Sequence, residues 1–268
     1  MLDKIADQNN RLTVVGVNSG YIDMFHAWRR SASNVGVRNI VIVALDETTY
    51  KNLYDEYHER LLMPLFAQDL GGVAQWGTDL FNQLTRTRPS FIQAIVNLGY
   101  AVFYSDIDTF YRRNPFDEFD AILKQFPGTS VIISEEGNPS NWCSCLIYFT
   151  GNQESRVLLR AWSDECARDP SHDDQHALGR AMTQLLDRRQ LDLYMVPKWK
   201  FASGRTMFHD GYDWQQHPHG PVIVHANHLV GHHAKMNALL NPWKWDKTLQ
   251  KETIFEESEQ KQENCNSC

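Results

Sequence analysis

The sequence predicts an α/β fold: a mostly parallel, doubly wound central sheet with helices on both faces. Three observations predict it. Short apolar runs alternate along the chain with stretches of helical periodicity. The runs are unbroken rather than alternating, as in strands covered on both faces. Five of them end in a polar side chain (Asn18, Asp46, Asp106, Glu135 and His225), where such sheets bind ligands.

The elements follow in order. Leu12 to Val17 is β-branched and stops at Asn18-Ser19-Gly20. Tyr21, Met24, Phe25 and Trp28 then recur at helical spacing. Asn39 to Leu45 is a continuous strand ending at Asp46, and Glu47 to Arg60 reads as a helix. Met63 to Gly77, with Gly71-Gly72, reads as a loop. Pro89 opens a helix whose apolar side carries Phe91, Ile92, Ile95 and Val96, and Gly99 ends it. Ala101 to Ser105, Val131 to Ser134 and Cys145 to Phe149 are strands. Gln153 to Arg168 and Asp173 to Arg189 are helices. Leu193 to Val196 and Val222 to Val224 are short late strands. Residues 1–245 are expected to form one domain, and 246–268, rich in Glu, Gln, Lys and Asn, a polar tail.

Composition narrows the function. The chain has 268 residues, 26 Lys+Arg against 33 Asp+Glu, and a net charge of −7, so no bulk attraction draws it to nucleic acid. A 42% hydrophobic fraction supports a sizeable core and excludes wholesale disorder. No run approaches the roughly 18 apolar residues of a membrane span, and no signal segment follows Met1, so a cytoplasmic location is one expectation. The five cysteines, including Cys143-x-Cys145 and Cys265-x-x-Cys268, lack zinc-knuckle spacing and read as buried or incidental thiols.

The sharpest motif is Ser105-Asp106-Ile107-Asp108. An apolar strand delivers two carboxylates just past its end, and a turn there can aim both at one hard divalent ion. Val224-His225-Ala226-Asn227 places an imidazole at another strand exit. Gly231 allows close approach to an anion, and Lys235 adds a point charge for phosphate. Asp173-Asp174-Gln175 opens a helix; Asp there is a capping residue, or else Asp174 and Gln175 face the cleft and hold substrate hydroxyls. Two enzyme classes fit an Asp-x-Asp after a strand. A phosphatase of the haloacid-dehalogenase type is the alternative reading of Asp106-Ile107-Asp108-Thr109. Its motif normally opens the core, whereas here about a hundred residues precede it. A metal-dependent nucleotide-sugar glycosyltransferase fits the order of the whole chain. A catalytically degenerate sugar-nucleotide-binding protein is a third, non-enzymatic reading.

In joint order, Val14 to Tyr21, Ala44-Leu45-Asp46 with Thr49-Tyr50, Leu98 to Asp108 with Asn114-Pro115, Asp174-Gln175, and Val224 to Asn227 with Gly231 and Lys235 carry a family resemblance. The sequence resembles the nucleotide-diphospho-sugar transferases typified by plant rhamnogalacturonan xylosyltransferases and extensin arabinosyltransferases (glycosyltransferase family 77). The resemblance implies a GT-A fold, a nucleoside-diphosphate sugar donor, a glycan or glycoprotein acceptor, Mn²⁺ or Mg²⁺, and transfer with retention. It also implies the Golgi lumen. By position it makes Asp106 and Asp108 the groups for donor ribose and metal, and His225 the third metal ligand. Asn18 and Asp46 would lie near the nucleoside, Gly231 and Lys235 at the diphosphate, and Asp174 and Gln175 at the transferred sugar. Arg88 stands where the family has a basic residue, and Cys145 stands where its pattern has Gly.

Overall fold

A computed structural model describes residues 1–65, 70–135 and 142–247. The chain opens with one helical turn, α1 (Leu2–Ile5), then β1 (Arg11–Val17), α2 (Ile22–Asn34), β2 (Ile40–Ala44), α3 (Glu47–Tyr57) and β3 (Leu61–Leu62). There follow α4 (Asp79–Arg86), α5 (Arg88–Asn97), β4 (Ala101–Ser105), β5 (Thr109–Tyr111), α6 (Pro115–Gln125), β6 (Val131–Glu135) and β7 (Trp142–Phe149). The chain continues through α7 (Gln153–Arg168), α8 (Asp174–Asp187), β8 (Leu193–Val196), β9 (Phe201–Ala202), β10 (Ile223–His225) and α9 (His232–Leu240).

Seven strands form the central sheet in the order β3-β2-β1-β4-β7-β6-β8. All pairings are parallel except those of β7, which runs against both β4 and β6. The reversal has a consequence for function. β7 begins, rather than ends, at the edge where β1, β2 and β4 exit, so Trp142, Cys143 and Ser144 lie at that edge.

One strand expectation is corrected. Residues 222–224, expected as a late strand of the main sheet, instead run into β10 of a second, three-stranded sheet of order β5-β10-β9. β10 is antiparallel to β5, with His225 opposite Thr109, and parallel to β9. The cause is local. Only three residues separate β4 from β5, too few for a crossover back into a parallel sheet, so β5 leaves the sheet and pairs elsewhere.

The sheet separates two apolar layers. Val14, Val41, Val43, Val102, Ile133 and Phe149 point to the layer containing Phe91, Ile92, Trp162, Leu178 and Met182. Val15, Val17, Ile42, Phe103, Ile132 and Tyr148 point to the layer containing Phe25, Trp28, Phe116 and Phe119. Strands buried on both faces therefore read as unbroken apolar runs. The helix α6 was not anticipated: Asn114 Oδ1 caps it by accepting from Phe116 N at 3.1 Å, and Pro115 occupies its first turn. Nor was α4, which lies between the expected loop and α5.

The loop of residues 63–77 is described outside 66–69. It is tied down by Asn18, whose Nδ2 donates to the Leu70 and Gly72 carbonyls at 2.9 and 2.8 Å. A Cβ on Gly20 would meet the Gly72 carbonyl carbon at 2.4 Å, so glycine is required for this approach. At the other end Asp246 is fully buried and ion-paired with Arg112, so packing continues into the first residue of the expected tail. Residues 248–268 of that tail, Cys265 and Cys268 among them, lie outside the described residues.

Phe119 anchors the second layer. It is fully buried, stacks on Tyr148 at 4.6 Å between centroids and meets Phe103 edge-on at 5.0 Å. Phe119→Ala should cost about 3–5 kcal/mol. Urea denaturation followed by far-UV circular dichroism measures this, and a loss under about 1 kcal/mol would contradict the packing described.

Candidate active site

The turn after β4 is built by hydroxyls. Ser105 Oγ donates to the Asp106 carbonyl at 3.0 Å, Thr109 Oγ1 donates to the same carbonyl at 2.8 Å, and the two hydroxyls lie 3.1 Å apart. Trp28 Nε1 donates to Ser105 Oγ from below at 3.3 Å. The Asp106 amide donates to the Cys145 carbonyl at 2.8 Å, fixing the turn to β7. Thr109 directly follows Asp108, and its hydroxyl is buried in closing the turn.

The pairing of β5 with β10 then brings the late histidine in. The Ala226 amide donates to the Asp108 carbonyl at 2.7 Å, and His225 Nε2 lies 3.0 Å from Asp108 Oδ1. Lys235, one turn into α9, donates to Asp108 Oδ2 at 2.6 Å. One oxygen from each of Asp106 and Asp108 and one nitrogen of His225 lie within 4.8 Å of one another. Two carboxylates and an imidazole in that space form a donor set that can hold a divalent cation.

The electrostatics follow from burial. Burial raises the Asp108 pKa, but the Lys235 ammonium and then His225 outweigh it and hold the carboxyl far below its ordinary value. The effects are reciprocal. Asp108 raises the Lys235 pKa, and on His225 it overcomes a burial effect of opposite sign.

Arg88 forms the second half of the site. Its guanidinium donates to Asp106 Oδ1 at 2.8 Å, to Asp174 Oδ2 at 2.6 Å and to Ser144 Oγ at 2.6 Å. Tyr104 lies beneath it, ring centroid 4.7 Å from the guanidinium carbon, and donates its hydroxyl to Asp106 Oδ1 at 2.7 Å. Tyr104 was missed in the sequence, although strand alternation places it on the same face as Asp106. The N-cap of α8 is Asp173, which accepts from the His176 amide at 3.0 Å, leaving Asp174 to the interior. Desolvation raises the Asp174 pKa to about 6 despite Arg88, and the Asp106 charge adds to the rise.

Not every expected residue meets at this centre. Asp46 is fully buried, accepting from Ser19 N at 2.7 Å and from Thr49 N and Oγ1 at 2.8 Å each, as the cap of α3. Asn18 has its amide nitrogen committed to the loop. Gly231, at φ +86°, turns the chain into α9. Beside these lies a cavity of about 690 Å³ lined by Ser19, Gly20, Asp23, His26, Asn52 and His232. His232 donates from Nε2 to Asp23 Oδ2 at 2.8 Å. Gln175 lines a separate cavity, of about 490 Å³, against α8.

The thiol expectation is also corrected. Cys143 and Cys145 are joined in a disulfide, their Cα atoms 5.1 Å apart on one face of β7, while Cys166 is a buried free thiol. Residues two apart on a strand point the same way, which lets the sulfurs meet.

A reversed strand in a mostly parallel sheet, an Asp-x-Asp turn at its edge and a side sheet that supplies a histidine define a GT-A type fold. A solved structure, the bifunctional glycosyltransferase WbbM in its apo form, shares it with a TM-score of 0.53 at 13% identity, over 82% of this chain and 46% of that one. The family model for nucleotide-diphospho-sugar transferases matches residues 35–239, and the chain belongs to that family. UDP-D-xylose:L-fucose alpha-1,3-D-xylosyltransferase 3 of Arabidopsis thaliana is 25% identical over 87% of this chain and 66% of its own length. A second Arabidopsis thaliana protein, also named UDP-D-xylose:L-fucose alpha-1,3-D-xylosyltransferase, is 24% identical over 90% of this chain and 71% of its own length. The chain thus spans about two thirds of these relatives.

Asp174 gives this site a pH signature. Its folded pKa, about 6, lies above the roughly 3.9 of an unfolded aspartate, so its stabilising contribution is full below pH 4 and is lost as pH rises through 6. Asp174→Asn should remove that part of the profile. Chemical denaturation between pH 4 and 7 should show wild-type stability falling relative to the variant, and parallel curves would contradict the burial effect.

Proposed function

We propose that the chain is a metal-dependent glycosyltransferase that moves a sugar from a nucleoside diphosphate to a hydroxyl of a glycan, with retention at the anomeric carbon. The observation that carries this reading is the convergence of Asp106, Asp108 and His225 within 4.8 Å at the carboxyl edge of the sheet, in a member of a nucleotide-sugar transferase family. The names of its relatives make UDP-xylose the donor and an L-fucosyl glycan the acceptor to test first.

Asp106, Asp108 and His225 would hold Mn²⁺ or Mg²⁺, hard enough for carboxylates and tolerant of one imidazole. When bound, such a cation supplies Lewis-acid neutralisation of the leaving diphosphate. Lys235 adds a cationic donor, and the amide groups at the start of α9 add a positive helix end for the same phosphates. The cavity beside Gly20 and His232 suits the nucleoside, with Asn18 and Asp46 shaping it by holding its backbone rather than by direct contact.

The sugar–phosphate bond breaks with oxocarbenium character at the anomeric carbon. Asp174 is buried and its Oδ2 is taken by Arg88. We therefore assign it to positioning, since a nucleophile needs an open face. Attack from the side the leaving group vacates then accounts for retention. The acceptor O–H proton passes to the departing phosphate oxygen while the new C–O bond forms. Gln175, the next residue, lines a cavity and would meet the transferred sugar. The Golgi lumen is the compartment that suits both the family and a Cys143–Cys145 disulfide.

The test is hydrolysis and transfer of UDP-xylose. Asp108→Asn should lower both by about 100-fold or more while the circular dichroism spectrum stays unchanged, a loss of about 2.7 kcal/mol of transition-state stabilisation. EDTA should abolish wild-type activity and Mn²⁺ restore it. Full activity in EDTA would overturn the metal assignment. UDP binding without turnover would instead identify a degenerate sugar-nucleotide binder.

A further inference from the structure

Apart from Gln175 at its near end, the cavity along α8 is not used by the donor chemistry above. Its lining from that helix is Gln175, His176, Gly179, Arg180, Thr183 and Gln184, a single stripe at helical spacing, with Trp142 of β7 as a further wall. Nine residue steps along a helix cover roughly 13 Å, so the groove runs away from the reaction centre for more than one sugar ring. Its floor is open: a Cβ on Gly179 would meet nothing within 4 Å among the described residues.

Two features mark the groove as built for a ligand. Trp142 is 7% exposed, yet among the described residues its indole N–H has no hydrogen-bond partner, and neither has Arg180 Nη2. A buried donor left unpaired costs about 1–3 kcal/mol, which a ligand acceptor atom would recover. The polar wall is also held in place. Buried Glu165 accepts from Arg180 Nε at 2.9 Å and from Gln184 Nε2 at 3.0 Å. Glu165, with Asp169 at 3.8 Å from Arg180 Nη2, offsets the guanidinium charge. What remains is an aromatic face, amides and neutralised donors, a surface suited to a neutral polyol rather than an anion.

We propose that this groove is the acceptor subsite and that it binds a neutral oligosaccharide, with Trp142 and Arg180 donating to sugar hydroxyls. The proposal rests on the glycosyltransferase reading and names the acceptor side of that site. The test separates the two. Gly179→Leu adds a side chain into open space on a helix, where glycine is the weaker helix former, so the fold is retained.

Against UDP-xylose and Mn²⁺, Gly179→Leu should leave donor hydrolysis by water within about twofold of wild type, and raise the KM for transfer to methyl α-L-fucoside or a fucosylated trisaccharide at least about tenfold. Trp142→Phe should raise it about 3- to 10-fold, the loss of one hydrogen bond. Unchanged acceptor KM with intact hydrolysis would overturn the groove and spare the reading. Absence of hydrolysis in the wild type would overturn the reading alone. The groove is then judged by saturation-transfer NMR with neutral fucosyl, galactosyl and xylosyl oligosaccharides. Saturation transfer that Gly179→Leu abolishes supports it, and no transfer from the wild type, or equal transfer from both, overturns it.

Discussion

Three carboxylates, Asp106, Asp108 and Asp174, share one edge of the sheet, and their coexistence depends on where positive charge sits among them. Arg88 is buried and lies between Asp106 and Asp174, its forked guanidinium satisfying both with hydrogen bonds under 3 Å. Tyr104 supports it from below. This frees Asp108 to face the other way, toward His225 and Lys235. Arg88 therefore serves Asp106 and Asp174, while Asp108 is left to Lys235 and His225. Replacing Arg88 by a lysine would keep the charge but not the fork.

The second dependency is topological. His225 reaches Asp108 only because a three-residue strand leaves the main sheet immediately after the Asp-x-Asp turn and finds a partner more than a hundred residues later. The register, Thr109 opposite His225, fixes the distance between the two motifs more tightly than any loop could. Residues far apart in sequence are thus locked by backbone hydrogen bonds, and the side chains need little further adjustment.

These two features also explain what could be read in advance. The strands around Val14, Ile42, Phe103 and Ile132 were legible because each is buried on both faces and so announces itself as an apolar run. Asp106, Asp108, His225 and Lys235 were legible as chemistry at strand exits and in order along the chain. The side sheet was not, although Val222 to Val224 was legible as a strand: Thr109–Tyr111 and Phe201–Ala202 are two or three residues long, and the sheet is defined by pairing rather than periodicity. The same holds for the roles of Asp46 and Asp174. Both are acidic residues beside a helix start, and only packing shows that one closes on a helix end while the other turns inward to an arginine.

The bridge between Cys143 and Cys145 has an effect beyond the strand that carries it. The two sulfurs lie close to the same imidazole that Asp108 engages. As free thiolates they would present a soft ion such as Zn²⁺ or Cu⁺ with a rival nest of ligands, and a late first-row metal would win there by affinity. Locked to one another, they are chemically silent. The imidazole is left to the Asp106 and Asp108 carboxylates, so the ligand set it could offer a cation depends on the oxidation state of a neighbouring strand as well as on those carboxylates.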